Sequence, residues 1–237
     1  MKKTLSRCAL LVGLSLGISA APADLVFTNA LQADNAVFNL DRGGTVYASE
    51  TTLTIGRQTI LATNYESRGL LMTSVTNLPA GQSIGSAQLH LYFNPFQTRG
   101  IGQTVNLYRI TSAWTPSQVT WSNAAAGTPW TAPGGDFLGT PSVSYVLTAA
   151  DSNAYIHLDV TSDVAAWYGG QADNYGWMVV NPNVGNQIYQ YRFRTTEEPG
   201  LTLDPYLTIS VVPEPGTTVL LLLGGGLLLR RFRSRRC

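Results

Sequence analysis

Apolar and polar residues alternate along residues 87–93 of the chain. Successive side chains of a β-strand point to opposite faces of a sheet, so this alternation predicts a strand with one buried and one exposed face. The residues expected to face a core are Ala87, Leu89, Leu91 and Phe93, and those expected to face away from it are Gln88, His90 and Tyr92.

The same alternation recurs at 156–160, where Ile156, Leu158 and Val160 are expected to point inward. Short runs of β-branched, aromatic and aliphatic residues, separated by Gly, Pro, Asn and Ser, predict the other strands. These runs lie at 36–40, 45–48, 53–56, 69–75, 104–110, 145–148, 177–180, 188–194 and 206–211. Roughly ten short strands predict an all-β fold, and within that class a jelly-roll β-sandwich.

One short helix is expected after the strand at 156–160, with Thr161 or Ser162 as its N-cap. Gly169 and Gly170 are expected to end it. Its apolar stripe is expected to consist of Val160, Val164 and Trp167. Because no internal repeat or linker divides the body, residues 24–212 are expected to form one domain.

The first 23 residues have the organisation of a secretory signal peptide. Three basic residues, Lys2, Lys3 and Arg7, precede an apolar run at 8–18 and a small-residue stretch that ends at Ala23. The mature chain is therefore expected to begin at Asp24, after export across the inner membrane.

The other end carries a proline-rich motif, an apolar run and an Arg-rich tail, in that order. The motif is Val212-Pro213-Glu214-Pro215, the uncharged run spans 217–229, and the tail begins with Arg230, Arg231 and Arg233. Residues 213–237 resemble the PEP-CTERM sorting signal of Gram-negative bacteria that make exopolysaccharide. The resemblance implies that an exosortase, a membrane cysteine protease, processes the chain and delivers it to the cell envelope or the extracellular space.

The length of the apolar run fits a temporary stop in the membrane before processing. Its thirteen residues make a helix of about 20 Å, which is short of a hydrocarbon core of about 30 Å. The arginines behind the run are expected to hold the C-terminus in the cytoplasm and to leave the body outside. A permanent C-terminal anchor is the alternative.

Charge separates the two ends from the body between them. Residues 24–212 hold seven Arg and thirteen acidic residues, a balance of −6 against +1 for the whole chain. Because nucleic-acid binding needs a basic surface, nucleic acid is excluded as the expected partner. The body also lacks Cys, which excludes a disulfide framework and a cysteine nucleophile.

Three segments of the body carry further motifs in a fixed order. They are 66–72 with 78–81 and 86–92; then Trp114 with 119–123, Trp130 and 134–136; and finally 159–161 with Val164, Trp167, 174–176, 193–197 and 205–207. Over about 34–211 the chain resembles the DNRLRE family of secreted bacterial and archaeal β-sandwich modules. Members of that family stand alone or are attached to polysaccharide-degrading enzymes, and some are carbohydrate-binding modules for alginate-like acidic glycans.

The two resemblances together imply a non-catalytic surface or extracellular-matrix protein, as in a biofilm, that binds extracellular polysaccharide. Two other functions stay open: a polysaccharide-active hydrolase or lyase that uses carboxylates, and a structural matrix module that binds proteins through its strand edges. His157 and Asp159 on one strand face resemble a base and its orienting acid. No Ser in a nucleophile elbow accompanies them, so no catalytic residue is assigned.

Aromatic and cationic side chains are the candidates for contact with a glycan. Trp130, which precedes a Gly-rich loop, is expected to be exposed and to stack on a sugar ring. Arg192 and Arg194 share one strand face and are candidates to bind carboxylates or sulfates, although a solvated face neutralised by a neighbouring Glu is the alternative. The tryptophans expected to pack in the core are Trp114, Trp121 and Trp167.

No cofactor is predicted. A structural Ca²⁺ is the metal that the composition allows, through oxygen ligands near loops. The residues concerned are Asp136, Asp159, Asp163, Asp173 and Asn174. Their spacing matches no calcium-binding motif, and roles in turns and helix caps are the alternative.

Overall fold

The computed structural model describes residues 25–38, 44–60, 63–95, 99–183, 189–200 and 202–213. The strands in these residues are β1 Leu25–Ala30, β2 Ala33–Phe38, β3 Thr52–Ile60, β4 Thr63–Met72, β5 Gln82–Phe93, β6 Thr104–Arg109, β7 Asn123–Ala125, β8 Thr128–Pro129, β9 Val143–Val146, β10 Ala154–Asp159, β11 Trp177–Val180, β12 Tyr189–Arg194 and β13 Tyr206–Pro213. A 3₁₀ turn spans Ala149–Asp151, and the helix α1 spans Thr161–Tyr168. The predicted all-β sandwich is confirmed.

Eleven of these strands form one hydrogen-bonded sheet in the order β1-β13-β5-β12-β3-β4-β11-β6-β9, with β10 paired to β5 and β2 paired to β4. We call β1, β13, β5 and β10 the front layer, and β2, β3, β4, β11, β6 and β9 the back layer. Strand β12 joins the two layers, because it pairs with β3 along its length and with β5 at Phe193 and Phe93.

One apolar core lies between the two layers, so the sheet curls over on itself. Every other residue of β5 from Ala87 to Phe93 is at most 1% exposed, as the alternation predicts. The core residues from the rest of the front layer are Ile156, Leu158, Leu207, Ile209 and Val211, and those from the back layer include Leu53, Ile55, Leu71, Val105, Leu107, Trp177 and Val179. Burial of each such side chain stabilises the fold by roughly 1.5–3 kcal/mol.

A second apolar cluster lies on the other side of the back layer. The sheet contributes Ala33, Val37, Leu70 and Met178, and the chain after β6 contributes Ile110, Trp114, Val119, Ala124 and Trp130. The chain between β6 and β9 therefore covers the outer side of the back layer. The outer side of the front layer instead carries exposed side chains, among them His157 and Asp159.

Most strands lie where the sequence pattern predicts them, and the differences fall at their ends. The run at 45–48 is an exception, because Tyr47 makes only an isolated bridge to Ala36. Strand β1 has no counterpart among the predictions. Only Asn29 of its six residues is buried, so β1 carries no apolar alternation and depends on its pairing with β13.

Helix α1 confirms the predicted helix, with Val164 and Trp167 buried in the core and Gly169 at its end. The predicted N-cap is wrong, because Val160 occupies that position without a side-chain cap bond. Thr161 Oγ1 instead donates to Asp159 Oδ1 at 2.6 Å and accepts from the Ala87 N–H at 2.9 Å. The Thr161 side chain thus connects the helix to β5 and β10.

The predicted sorting motif begins inside the last strand. Val212 and Pro213 belong to β13, and β13 pairs with β1 from Val211 to Tyr206. The predicted signal peptide at 1–23 lies outside the described residues, as do Glu214, Pro215, Arg230, Arg231 and Arg233. Within the described ranges, no helix is long and apolar enough to cross a membrane.

Asp34 on β2 is a buried carboxyl, 3% exposed, that connects the back layer to the chain after β12. Its Oδ2 accepts from the Thr196 N–H at 2.9 Å, and its Oδ1 accepts from Thr196 Oγ1 at 3.2 Å. Burial, together with the hydrogen bond and the charge of Glu197, raises the pKa of Asp34 to about 8. The Asp34 carboxyl is therefore largely protonated at neutral pH.

We expect Asp34→Asn to raise the melting temperature near pH 8 and to change it little near pH 4. The pKa of Asp34 is higher in the folded chain than its ordinary value of 3.8, so the wild type loses stability as the pH rises between the two values. The amide keeps an acceptor for Thr196 and a donor for Glu197 without a charge. Thermal unfolding followed across this pH range measures the difference.

The matched control is Asp159→Asn. Hydrogen bonds from Thr161 lower the pKa of Asp159, so this variant is expected to lose stability above about pH 4, the opposite direction. If Asp34→Asn changes the melting temperature by the same amount at every pH, the result contradicts the protonated state assigned to Asp34.

Candidate functional site

Five ring side chains lie together on the outer side of the front layer. They point outward because their sequence neighbours on the same strands point into the core. The five residues are His90 and Tyr92 on β5, Tyr155 and His157 on β10, and Tyr206 on β13. We call this surface the ring face.

Strand register arranges the ring face in two rows. Tyr206, His90 and His157 lie opposite one another across three strands, and Tyr92 lies opposite Tyr155. His90 stacks on Tyr206 with ring centroids 4.2 Å apart and planes 7° apart. Tyr155 meets both Tyr92 and Tyr206 edge to face, at 5.3 Å each. The rings therefore form a continuous aromatic surface.

Hydrogen bonds from the hydroxyls hold two of the tyrosines in place. Tyr92 Oη donates to the Asn153 carbonyl at 2.8 Å, and Tyr155 Oη donates to the Asp204 carbonyl at 3.1 Å. Burial, with smaller contributions from Tyr206 and other neighbours, raises the pKa of Tyr155. Because its hydroxyl stays protonated, Tyr155 remains a hydrogen-bond donor and its ring keeps one orientation.

The two histidines contact each other directly through their ring nitrogens. His90 Nδ1 lies 2.6 Å from His157 Nδ1, and His90 Nε2 lies 2.8 Å from Thr208 Oγ1. His90 is buried while His157 is exposed. Burial, and next the charge of His157, lower the pKa of His90. A contact this short between two ring nitrogens requires a proton on one of them.

Polar side chains lie in the next row beside the rings. Thr28, Thr208, Gln88 and Asp159 are opposite one another across the four strands of the front layer. They offer hydroxyl, amide and carboxylate groups next to aromatic rings. Such a combination of an apolar surface with a few polar groups is typical of a binding site.

Arg192 and Arg194 lie on the outward side of β12, because Tyr191, which precedes them, and Phe193, which lies between them, are buried in the core. With its side-chain amide turned to the orientation that satisfies both atoms, Asn94 accepts from Arg194 Nε at 3.3 Å and Nη2 at 3.1 Å. Asn94 follows β5 two residues after Tyr92, so Arg194 borders the ring face. Arg194 also forms an ion pair of 2.7 Å with Glu198.

Trp130 is not exposed, contrary to the prediction. Its side chain is 5% exposed and packs in the second cluster. Its Nε1 donates to the Thr120 carbonyl at 3.0 Å, and its backbone N–H donates to the Ser122 carbonyl at 3.1 Å. The glycan contact predicted for Trp130 requires an exposed ring. A buried indole has no face on which a sugar ring can stack.

The other tryptophans differ in burial. Trp114 and Trp167 are buried, as predicted. Trp121 is only partly buried, and the Arg68 guanidinium lies over its ring at 4.8 Å. This cation–π contact holds Trp121 against the cover of the back layer.

The loop carboxylates considered for Ca²⁺ make local contacts. Asp136 accepts from the N–H groups of Thr131 and Ala132, and Asp163 accepts from Trp177 Nε1 at 2.8 Å and pairs with Arg109 at 3.3 Å. In the part of the chain that the structure describes, no three His, Cys, Asp or Glu residues are grouped to hold a metal ion. The observed contacts are those of turns and core polar groups.

A cleft of about 200 Å³ lies at the end of β6, lined by Arg109, Thr111, Leu138, Asp173 and Tyr175 among others. Arg109 pairs with Asp163, and Tyr175 Oη donates to Asp173 Oδ2 at 3.2 Å. The cleft offers a single aromatic ring, whereas the ring face offers five rings in contact. The ring face is therefore the stronger candidate.

Sequence reasoning placed His90 and Tyr92 on an outward face and gave them no role. Their neighbours Tyr155 and Tyr206 come from other strands, and only the pairing of β5 with β10 and β13 brings them together. The available signal was an aromatic residue at an outward position on each of three predicted strands.

A β-sandwich with a ring-covered outer sheet surface has the architecture of a binding module. The model of carbohydrate-binding module family 96 matches residues 26–211, so the chain belongs to carbohydrate-binding module family 96. This membership suggests carbohydrate binding. The DNRLRE assignment itself stays a prediction.

A second family model, the PEP-CTERM protein-sorting motif, matches residues 211–236. This match suggests exosortase-dependent sorting, and it begins within β13. The comparison with curated proteins finds no match.

We expect Trp130→Phe to lower the free energy of unfolding by about 1 kcal/mol and to leave glycan binding unchanged. The Phe ring keeps most of the packing in the second cluster but removes the hydrogen bond to the buried Thr120 carbonyl. Trp130→Ala is expected to cost about 3–5 kcal/mol, because it opens a cavity. Urea unfolding measures both changes. A Trp130→Phe variant of normal stability that no longer binds glycan contradicts the structural role assigned to Trp130.

Proposed function

We propose that this protein is a secreted, non-catalytic module that holds extracellular polysaccharide on the ring face. In this proposal it is exported across the inner membrane and sorted by an exosortase to the cell envelope or extracellular matrix. Family membership supports the carbohydrate part of the proposal, and the match at the C-terminal end supports the sorting part.

The observation that carries the proposal is the set of ring side chains in mutual contact on a solvent-facing sheet. Tyr92, Tyr155 and Tyr206 are partly exposed, and each has an apolar ring with a polar tip. The C–H face of a pyranose can pack on such a ring, while its hydroxyls bond to the neighbouring Gln88 and Thr208. Both kinds of contact are therefore available to one ligand.

The shape of the ring face favours a chain over a single sugar. The rings span three strands, which is about 10 Å across the sheet, and the polar row extends over a fourth strand. A polysaccharide can therefore lie across the sheet without offering a chain end.

Arg192 and Arg194 are proposed to bind carboxylate or sulfate groups of the same polysaccharide. Arg194 lies at the margin of the ring face beside Asn94. Because Arg194 also pairs with Glu198 and the body carries a balance of −6, charge alone gives little attraction for an acidic chain. The rings supply the main contact in this proposal.

The ring face carries few side chains that could act as the acid or base of hydrolysis or elimination. The nearest carboxylate on its strands, Asp159, accepts hydrogen bonds from the Thr161 N–H and Thr161 Oγ1. His157 contacts His90 and not an acidic partner. These contacts support a binding role in place of the hydrolase or lyase alternative.

The proposed route to the envelope involves the membrane only before processing. The sorting motif follows the folded body directly, because β13 ends at Pro213 and the apolar run begins four residues later. We propose that this run stops in the membrane with its Arg-rich tail inside, and that the exosortase then removes it.

We expect Tyr155→Ala and Tyr206→Ala each to weaken polysaccharide binding about tenfold, which corresponds to about 1.4 kcal/mol. Each change removes one ring from the contact while the buried side of its strand stays intact. Affinity electrophoresis of residues 24–212 in gels that contain a polyuronate or a neutral glucan measures the loss. Tyr175→Ala is the matched control, since Tyr175 lies in the other cleft and its loss is expected to have no effect.

The same preparations test the alternatives. Failure of the wild type to bind any polysaccharide contradicts the proposal and favours a protein-binding matrix module. Release of reducing sugar or of unsaturated uronate from the polysaccharide favours the enzyme alternative.

We expect the extracellular form to lack the Arg-rich tail. Mass spectrometry of the protein from a host with the exosortase measures its C-terminus, and a host without the enzyme serves as the control. An intact tail on the extracellular form contradicts the sorting proposal and favours a permanent anchor.

A further inference from the structure

We infer that the His90–His157 pair makes the ring face a proton-gated site, which binds polysaccharides bearing carboxylate or sulfate groups more tightly in mild acid. This inference rests on the proposed function, because it concerns the same surface. It adds a regulation of binding and assigns it to His157.

The pair holds one proton between its two Nδ1 atoms. At 2.6 Å two bare lone pairs repel each other, and two N–H groups cannot face each other, so one nitrogen donates and the other accepts. Without added charge, His157 Nδ1–H donates to His90 Nδ1, and His90 Nε2–H donates to Thr208 Oγ1. Both rings are then neutral.

One more proton fits without any rearrangement. It binds at Nε2 of His157, the ring that faces solvent, and turns that ring into an imidazolium. The Nδ1–H bond to His90 then becomes charge-assisted, and such bonds are short. Histidine is the side chain whose charge ordinarily changes in the mildly acidic range.

His90 cannot take the proton as easily as His157. Its ring is buried, stacked on Tyr206 and engaged with Thr208 at Nε2. A proton on His90 Nδ1 as well would break the contact with His157. The pair therefore changes from neutral to a single positive charge and keeps its geometry.

Few other charged side chains lie near the positive charge that a proton adds to His157. On the same strand Asp159 carries a negative charge in the next row, Asp204 precedes β13, and Arg194 borders the far margin beside Asn94. The facing positions of β1, Thr28 and Ala30, are uncharged. Protonation of His157 thus offsets the charge of Asp159 at the centre of the face and lowers the repulsion of an anionic chain.

The test compares binding at about pH 8 and about pH 5.5. We expect the wild type to bind dextran sulfate or a polyuronate about five- to tenfold more tightly at the lower pH, and a neutral glucan equally at both. His157→Gln is expected to bind with the same affinity at both pH values, whatever that affinity is, because its amide takes up no proton. Asp34→Asn controls for the buried carboxyl of the back layer and is expected to keep the increase.

A second measurement does not depend on glycan. The ring resonances of the two histidines, followed by NMR against pH, are expected to show His157 taking up the first proton while His90 keeps its tautomer. First uptake at His90 overturns the inference, as does an acid-induced increase in binding that persists in His157→Gln. Polysaccharide binding that does not depend on pH overturns this inference alone, whereas no binding at any pH overturns the proposed function with it.

Discussion

The period of two along β5 is the constraint on which both the core and the candidate site depend. One set of its side chains, including Leu89 and Leu91, is fully buried between the layers. The other set, including the buried His90 and the partly exposed Tyr92, lies on the outer side of the sheet. A slip of one residue in register would exchange the two sets. The free energy of the apolar core therefore holds the ring face on the outer side, because a slip of one residue would expose the leucines.

The two layers differ in what covers their outer sides, and this difference decides where ligands can bind. The chain between β6 and β9 covers the back layer with Trp114, Trp130 and their neighbours. Polar contacts also fix the helix to the back layer: Asp163 on α1 accepts from Trp177 Nε1 on β11 and pairs with Arg109 on β6. The largest aromatic side chains are thus used for stability, while tyrosines and histidines occupy the open front layer.

The front layer also connects the site to the ends of the body. β1 begins next to the predicted start of the mature chain, and β13 runs into the sorting motif, with Leu25 paired to Val211. The match to the sorting motif begins at residue 211, so this segment is both part of the sheet and the start of the signal. Tyr206 of the ring face lies on the same strand. The layer proposed to bind polysaccharide is therefore the one joined directly to the sorting motif.

The sequence by itself determined the features that depend on local period and local chemistry. Alternation predicted β5 and β10, a short apolar run predicted β11, the apolar stripe predicted α1, and motif order indicated both the module and the sorting signal. The outward positions of His90 and Tyr92, and the common face of Arg192 and Arg194, follow from the same period. Strand β1 escaped prediction because it has no buried apolar face of its own.

Only the tertiary structure decided which outward residues meet and which surfaces stay open. His157 and Thr208 lie 67 and 118 positions from His90 along the chain and meet it only through the pairing of β10 and β13 with β5. No local pattern specifies the partner of a strand. Trp130 was expected to be exposed because it lies between a proline and a Gly-rich loop, yet the fold turns it inward into the cluster that holds Leu70 and Met178. Burial is a property of the whole packed chain, which is why the sequence located the faces of the strands and the fold selected the site.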